Sequence, residues 1–174
     1  MSHINSRYHL LTTLARDVVR KVDASFEHHQ HFKTSLAKAN EWIDNVQTVV
    51  NDCDCVSTNS EKETLETHFD MIQSLISKQE EGQNLVSQAL NWGEKVLRNT
   101  RTTCTNEQMN EKMDELQSDW DKLIKKMSGT KVTLETSLLE WTDMNASYSN
   151  MQQWINERCV QTGLIERIIE FIIL

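Results

Sequence analysis

Residues 109–155 read MNEKMDELQSDWDKLIKKMSGTKVTLETSLLEWTDMNASYSNMQQWI. Within them Met109, Met113, Leu116, Trp120, Leu123, Met127, Thr130, Leu134, Ser137, Trp141, Met144, Tyr148, Met151 and Ile155 recur at steps of four, three, four, three. A side chain every 3.5 residues keeps to one side of a helix only if that helix winds around partners. Near the start of the chain, Ile4, Tyr8, Leu11, Ala15, Val18 and Val22 take the same steps. Phe26 with His29, then Phe32, Leu36, Ala39, Ile43, Val46 and Val50, continue them. Superposed at an offset of 112 positions, Tyr8 falls on Trp120, Leu11 on Leu123, Val22 on Leu134, Trp42 on Trp154 and Ile43 on Ile155. A long internal period marks a supersecondary unit repeated along a chain.

The rest of the composition agrees with long helices. There is no proline in 174 residues, and only four glycines. Proline is the strongest helix breaker, so its absence permits uninterrupted helices. No run of β-branched and aromatic residues alternates with polar ones as a strand would. The hydrophobic share of 38% suits helices that each bury a narrow stripe. A net charge of −8 disfavours nucleic acid, whose binding needs neutralised phosphates. The first residues do not read as a secretory signal. No stretch approaches the 20 or so apolar residues of a membrane span; the apolar run 164–174 is short and holds Glu166, Arg167 and Glu170.

Three long helices are expected. The first spans about Ile4 to Val50. A polar stretch, Asn51 to Ser60, reads as a loop. Ser60 with Glu63 forms a capping box for the second helix, which carries Leu65, Phe69, Ile72, Ile76, Gln83, Val86, Leu90 and Leu97 on its seam. Gln79, Gln83, Gly82 and Gly93 dilute that seam, and Met71, Leu75, Leu85, Trp92 and Val96 widen it on the adjoining face. Asn99 to Thr105 is a second loop, and Thr105 with Gln108 caps a third helix ending near Cys159. Short loops make successive helices antiparallel neighbours. The middle helix is the shortest, so the outer two must overhang at opposite ends. Residues 1–23 then match the last helix of a preceding unit, 24–137 make one complete unit, 138–160 match the first helix of the next, and 161–174 form an apolar tail.

These residues resemble the spectrin-repeat family. The marks are the first-helix tryptophan in Glu41-Trp42-Ile43, met again in Gln153-Trp154-Ile155. The last-helix aromatic Trp120, met again as Tyr8, and Leu134 ahead of Glu140-Trp141 also fit. The resemblance covers about residues 1–160 and is nearer to nesprin-like linkers than to spectrin itself. It implies an all-α fold of left-handed three-helix coiled-coil units sharing long helices. It also implies a structural role in a cytoskeletal linker, with a place in the cytoplasm or at the outer nuclear envelope. The expected core and interface residues are Tyr8, Leu11, Trp42, Ile43, Trp120, Leu134, Trp141 and Trp154. The expected partners are cytoskeletal or scaffold proteins, or a second copy joined through the terminal part-units as spectrin chains join. A third architecture, a four-helix adaptor with the first helix folded back near Ala24 to Phe26, is disfavoured because 22–31 holds no Gly or Pro.

Little points to catalysis or to cofactors. The glycines stand alone, so no phosphate loop exists. His28, His29 and His31 crowd one stretch, but His29 falls on the seam while the other two point away. Cys53-Asp54-Cys55 has no second ligand pair nearby to complete a zinc site. Cys104, beside Arg101, and the remaining cysteines read as free thiols of a reducing compartment. Trp92 reads as rim packing. Lys122, Lys125 and Lys126, and Lys95, Arg98 and Arg101, form short basic patches whose ordinary role is pairing along the helix. No metal or cofactor is expected, and the chain is not expected to be an enzyme.

Overall fold

The computed structural model describes the backbone of residues 2–55, 61–99 and 103–173, and the side chains of 4–55, 61–98 and 106–163. Those residues are helical almost throughout, with no strand among them. Four helices follow one another: α1 (Ser2–Asp54), α2 (Lys62–Ser77), α3 (Gln79–Asn99) and α4 (Thr103–Ile173). α2 and α3 form one middle rod, broken only at Lys78. It lies between α1 and α4, with α3 packed chiefly on α1 and α2 chiefly on α4. α1 and α4 run parallel to each other and antiparallel to the middle rod.

The α4 ladder is buried from Met109 to Ser137. Leu116, Trp120, Leu123, Met127, Thr130 and Leu134 all lie inside, and Leu123 is wholly covered. α1 contributes Phe32, Ala39, Ile43, Val46, Val50 and Cys53. The middle rod contributes Leu65, Ile72, Val86, Ala89 and Val96. Outside this region the ladders continue uncovered. At one end α1 projects with Ile4, Tyr8, Leu11, Val18 and Val22 exposed, and at the other α4 projects with Met144, Tyr148, Met151, Trp154 and Ile155 exposed. α1 runs through 24–26 without a break, so it does not fold back.

Several boundaries differ from the sequence reading. α1 continues to Asp54, so Cys53 is a core residue of its last turn and not a loop thiol. Ser60 lies outside the described residues. The N-cap of α2 is Glu61, extended at φ −62° and ψ 149°, with no side-chain capping bond. α4 already starts at Thr103, which puts Thr105 inside the first turn instead of at the cap. α4 also passes Gly163 and reaches Ile173 as helix. Phe26 is 67% exposed, so the α1 seam enters the bundle only at about Phe32.

The largest correction concerns the middle rod. Its inward positions are Leu65, Phe69, Ile72, Ile76 and Gln79, and then Gly82, Val86, Ala89, Gly93 and Val96. The expected step of four after Gln79 would reach Gln83, but Gln83 faces water and its amide nitrogen donates to Ser87 Oγ at 3.2 Å. Two consecutive steps of three require local overwinding. The backbone supplies it at Lys78. The Lys78 N–H bonds to Leu75 O at 3.0 Å and the Glu81 N–H to Lys78 O at 3.1 Å, both three-residue spans of the tighter 3₁₀ kind. The glycines therefore do not dilute the seam. They are seam positions filled by side chains from the facing helices, Trp42 and Trp120 at Gly82 and Met113 with Phe32 at Gly93.

Candidate functional site

Three features are built from side chains on different helices. The first is a ring pair at mid-bundle. Trp42 on α1 and Trp120 on α4 meet with ring centroids 5.7 Å apart, tilted by 44°. A Cβ added at Gly82 would lie 2.6 Å from two Trp42 ring atoms and 2.8 Å from Trp120. Only a bare backbone lets α3 close over both indoles. The overwinding at Lys78 is what turns that backbone inward.

The second feature lies where α1 enters. His31 stacks on Trp92 at 4.5 Å and 18°, and His28 sits at 5.8 Å from the same ring. The Lys95 ammonium stands 3.8 Å from the Trp92 centroid, in range for a cation–π contact. His28 and His31 therefore do converge, contrary to the sequence reading, but on an indole rather than on a metal. His29 is half-buried. Among the described residues no group of three or more His, Cys, Asp or Glu could hold a metal ion.

The third feature is a polar clasp at the opposite end. Lys126 donates to Asn51 Oδ1 at 2.5 Å and pairs with Asp54 Oδ2 at 3.6 Å. The buried Thr130 hydroxyl donates to Asp54 Oδ1 at 3.5 Å. Nearby, the Cys53 thiol points at His68 O, 3.9 Å away. Burial pushes that thiol above its ordinary value, and the Asp52 carboxylate pushes the same way. Cys55 is exposed, so the two cysteines do not form a ligand pair. Beyond the clasp the half-buried Trp141 has Lys62 Nζ 5.7 Å from its ring centroid.

Of the remaining residues singled out from the sequence, Ile43 and Leu134 are buried, and Trp42 is half-buried beside them. Tyr8, Leu11 and Trp154 are exposed on the projecting arms. The basic patches are largely engaged: Lys122 pairs with Asp119 at 2.9 Å and Arg98 with Glu94 at 3.1 Å. The side chains of Arg101 and Cys104 lie outside the described residues. Two broad surface depressions, along 149–161 of α4 and 26–41 of α1, are each lined by one helix alone. Neither brings together groups from separate elements, whereas a smaller groove lined by Asp44 of α1 and by Lys112, Glu115 and Asp119 of α4 does. No described helix is long and apolar enough to cross a membrane.

The arrangement thus offers packing surfaces: a closed core, and two uncovered apolar faces at opposite ends. No family model matches the chain. It is similar to Muscle-specific protein 300 kDa of Drosophila melanogaster, at 41% identity over 158 residues. Those residues make up 91% of this chain and 1% of that protein, so the chain spans only a small fraction of the relative it matches.

Proposed function

We propose that this chain is a rigid spacer and protein-interaction segment of a long cytoskeletal linker. On this reading 24–137 is a left-handed three-helix coiled-coil unit of the spectrin-repeat kind, and 1–23 and 138–160 are helices shared with neighbouring units. One observation carries it: α1 crosses position 23 and α4 crosses position 138 with no change in helix. A helix that belongs to two units transmits bending and tension between them. The similarity to a protein about a hundred times longer supports a repeated unit over a stand-alone domain. On this reading the role is structural, not catalytic. Partners are other cytoskeletal or scaffold proteins, with the cytoplasmic skeleton, including that at the outer nuclear envelope, as the setting.

Small-angle scattering tests the rod. With the C-terminal part of the 53-residue α1 lying beside the N-terminal part of the 71-residue α4, the molecule should reach roughly 140 Å at 1.5 Å per residue. That corresponds to a radius of gyration of about 35 Å, against about 16 Å for a compact chain of this length. Leu139→Pro, at an exposed position of the continuous helix, should shorten the longest dimension, since an interior proline removes a backbone bond and clashes with the preceding turn. A radius near the compact value, or no response to the proline, would remove the rod.

The exposed arms favour a second reading, self-association. The α1 arm is net positive through Arg7, Arg16, Arg20 and Lys21, and the α4 arm net negative through Glu140, Asp143 and Glu157. Both carry uncovered apolar faces that are sequence equivalents of helices packed together in the bundle. Head-to-tail pairing between copies would cover them. Sedimentation across a concentration series tests this, and a strict monomer at tens of micromolar rules it out.

A further inference from the structure

The core is not one cluster. Most of it surrounds the Trp42–Trp120 pair and extends to the Lys126 clasp, with fourteen buried residues in contact. Among the described residues a separate, smaller cluster at the α1 entry end has three: Phe32, Val96 and Met109. Leu36 packs against both. Apolar burial is the main force holding such a bundle closed, so the small cluster is held more weakly. At the far end the helices are also linked by Lys126 with Asn51 and Asp54, and by Thr130 with Asp54. At the entry end α1 meets α3 through half-buried Trp92 and exposed His31, a contact open to water. Gly93 adds no side chain of its own there; its neighbours Met113 and Phe32 fill the gap.

We propose that the bundle has a built-in yield point: the tip of the α3–α4 pair, residues 92–98 and 106–113, lifts off the 28–36 stretch of α1 while the rest of the core stays closed. Proteins commonly open in such sub-global units, and the low-stability unit is the one with few buried apolar contacts. Opening exposes Phe32 and Trp92 and removes the packing that holds the last turns of α3 and the first turns of α4 helical, so their backbone hydrogen bonds break with it. It does not depend on the spacer role. In a spacer, however, tension arriving along the α1 arm meets this end of the bundle first.

Native-state hydrogen exchange on the intact chain tests it. Backbone amides of 92–98 and 106–113 should exchange at least about tenfold faster than those of 43–50, 65–72 and 120–127. The deciding variant is Val50→Ala, whose wild-type side chain is wholly buried at the clasp end. Because Val50 stays packed in both, the change destabilises the fully closed state and the tip-open state alike. Val50→Ala should therefore speed exchange in the well-protected segments about tenfold and leave the tip unchanged, whereas Phe32→Ala should speed the tip. Equal protection of both regions, or acceleration of the tip by Val50→Ala to the same extent as the core, would show a single cooperative unit and overturn the proposal.

Discussion

Gly82→Ala isolates the mid-bundle closure. In an ordinary helix interior the change is favourable, because alanine gains about 1 kcal/mol of helix propensity over glycine. Here the new methyl would lie 2.6 Å from Trp42 ring carbons and 2.8 Å from Trp120. Carbon pairs in contact prefer about 3.5–4.0 Å, so the overlap is close to 1 Å on two sides. Both rings are held by each other at 5.7 Å, and neither is the free end of a flexible chain. Overpacking of this kind costs about 1–3 kcal/mol after relaxation, and two rigid rings put it at the upper end. The net expectation is a loss of about 1–2 kcal/mol despite the better helix former. Gly129 is the internal control. It is an exposed helical position with nothing within 4 Å of a built Cβ. Gly129→Ala should therefore gain close to 1 kcal/mol. Urea unfolding followed by far-ultraviolet circular dichroism and by tryptophan emission would give both values. The two variants should move the midpoint in opposite directions, and Gly82→Ala should also change the emission of the ring pair. A Gly82→Ala midpoint at or above wild type would refute both the closure and the overwound register at Lys78.

Other outcomes follow from the same packing. Leu123→Ala, at a wholly buried position of α4, should cost about 2–5 kcal/mol in urea unfolding. Tyr8→Ala and Trp154→Ala, at positions 67% and 57% exposed, should each shift that stability by no more than about 0.5 kcal/mol, while weakening any concentration-dependent sedimentation. Cys53 should resist a thiol reagent that labels Cys55 and Cys159 promptly, and become reactive only on unfolding. Its thiol is raised in the fold. The stability it contributes is thus complete below the ordinary thiol range and lost as pH rises through it, so Cys53→Ala should flatten the alkaline limb of a stability–pH profile. Lys126→Ala should cost under about 1 kcal/mol, since both partners of its ion pair are partly exposed.

Much of the architecture is legible in the residues. The unbroken ladder 109–155 specifies a long helix with one apolar side, and the absence of proline lets it run without interruption. That spacing also places Met109 to Ser137 on a single face of the helix, the face that is buried. What escapes sequence reading is local and has a common cause. A heptad count assumes constant winding, so it passes from Gln79 to Gln83 and misses the seam role of Gly82. Cys53 sits between two aspartates and reads as loop, because polarity alone does not show that one face of the turn is covered. His28 and His31 point away from the α1 seam yet meet on Trp92, because a position one residue off the seam, about 100° round the helix, is still within reach of a large ring on the next helix.

Periodicity is a property of one helix, so the sequence by itself determined that these are long helices, which face of each is apolar, and that the pattern repeats. Coverage is a property of several helices at once. Only the tertiary structure decided which part of each ladder is enclosed, where the middle rod tightens to bring a bare backbone against two indoles, and which stretches of identical pattern are left facing water. The physical reason is that apolar spacing sets where a side chain points, whereas burial depends on whether another helix stands there to receive it.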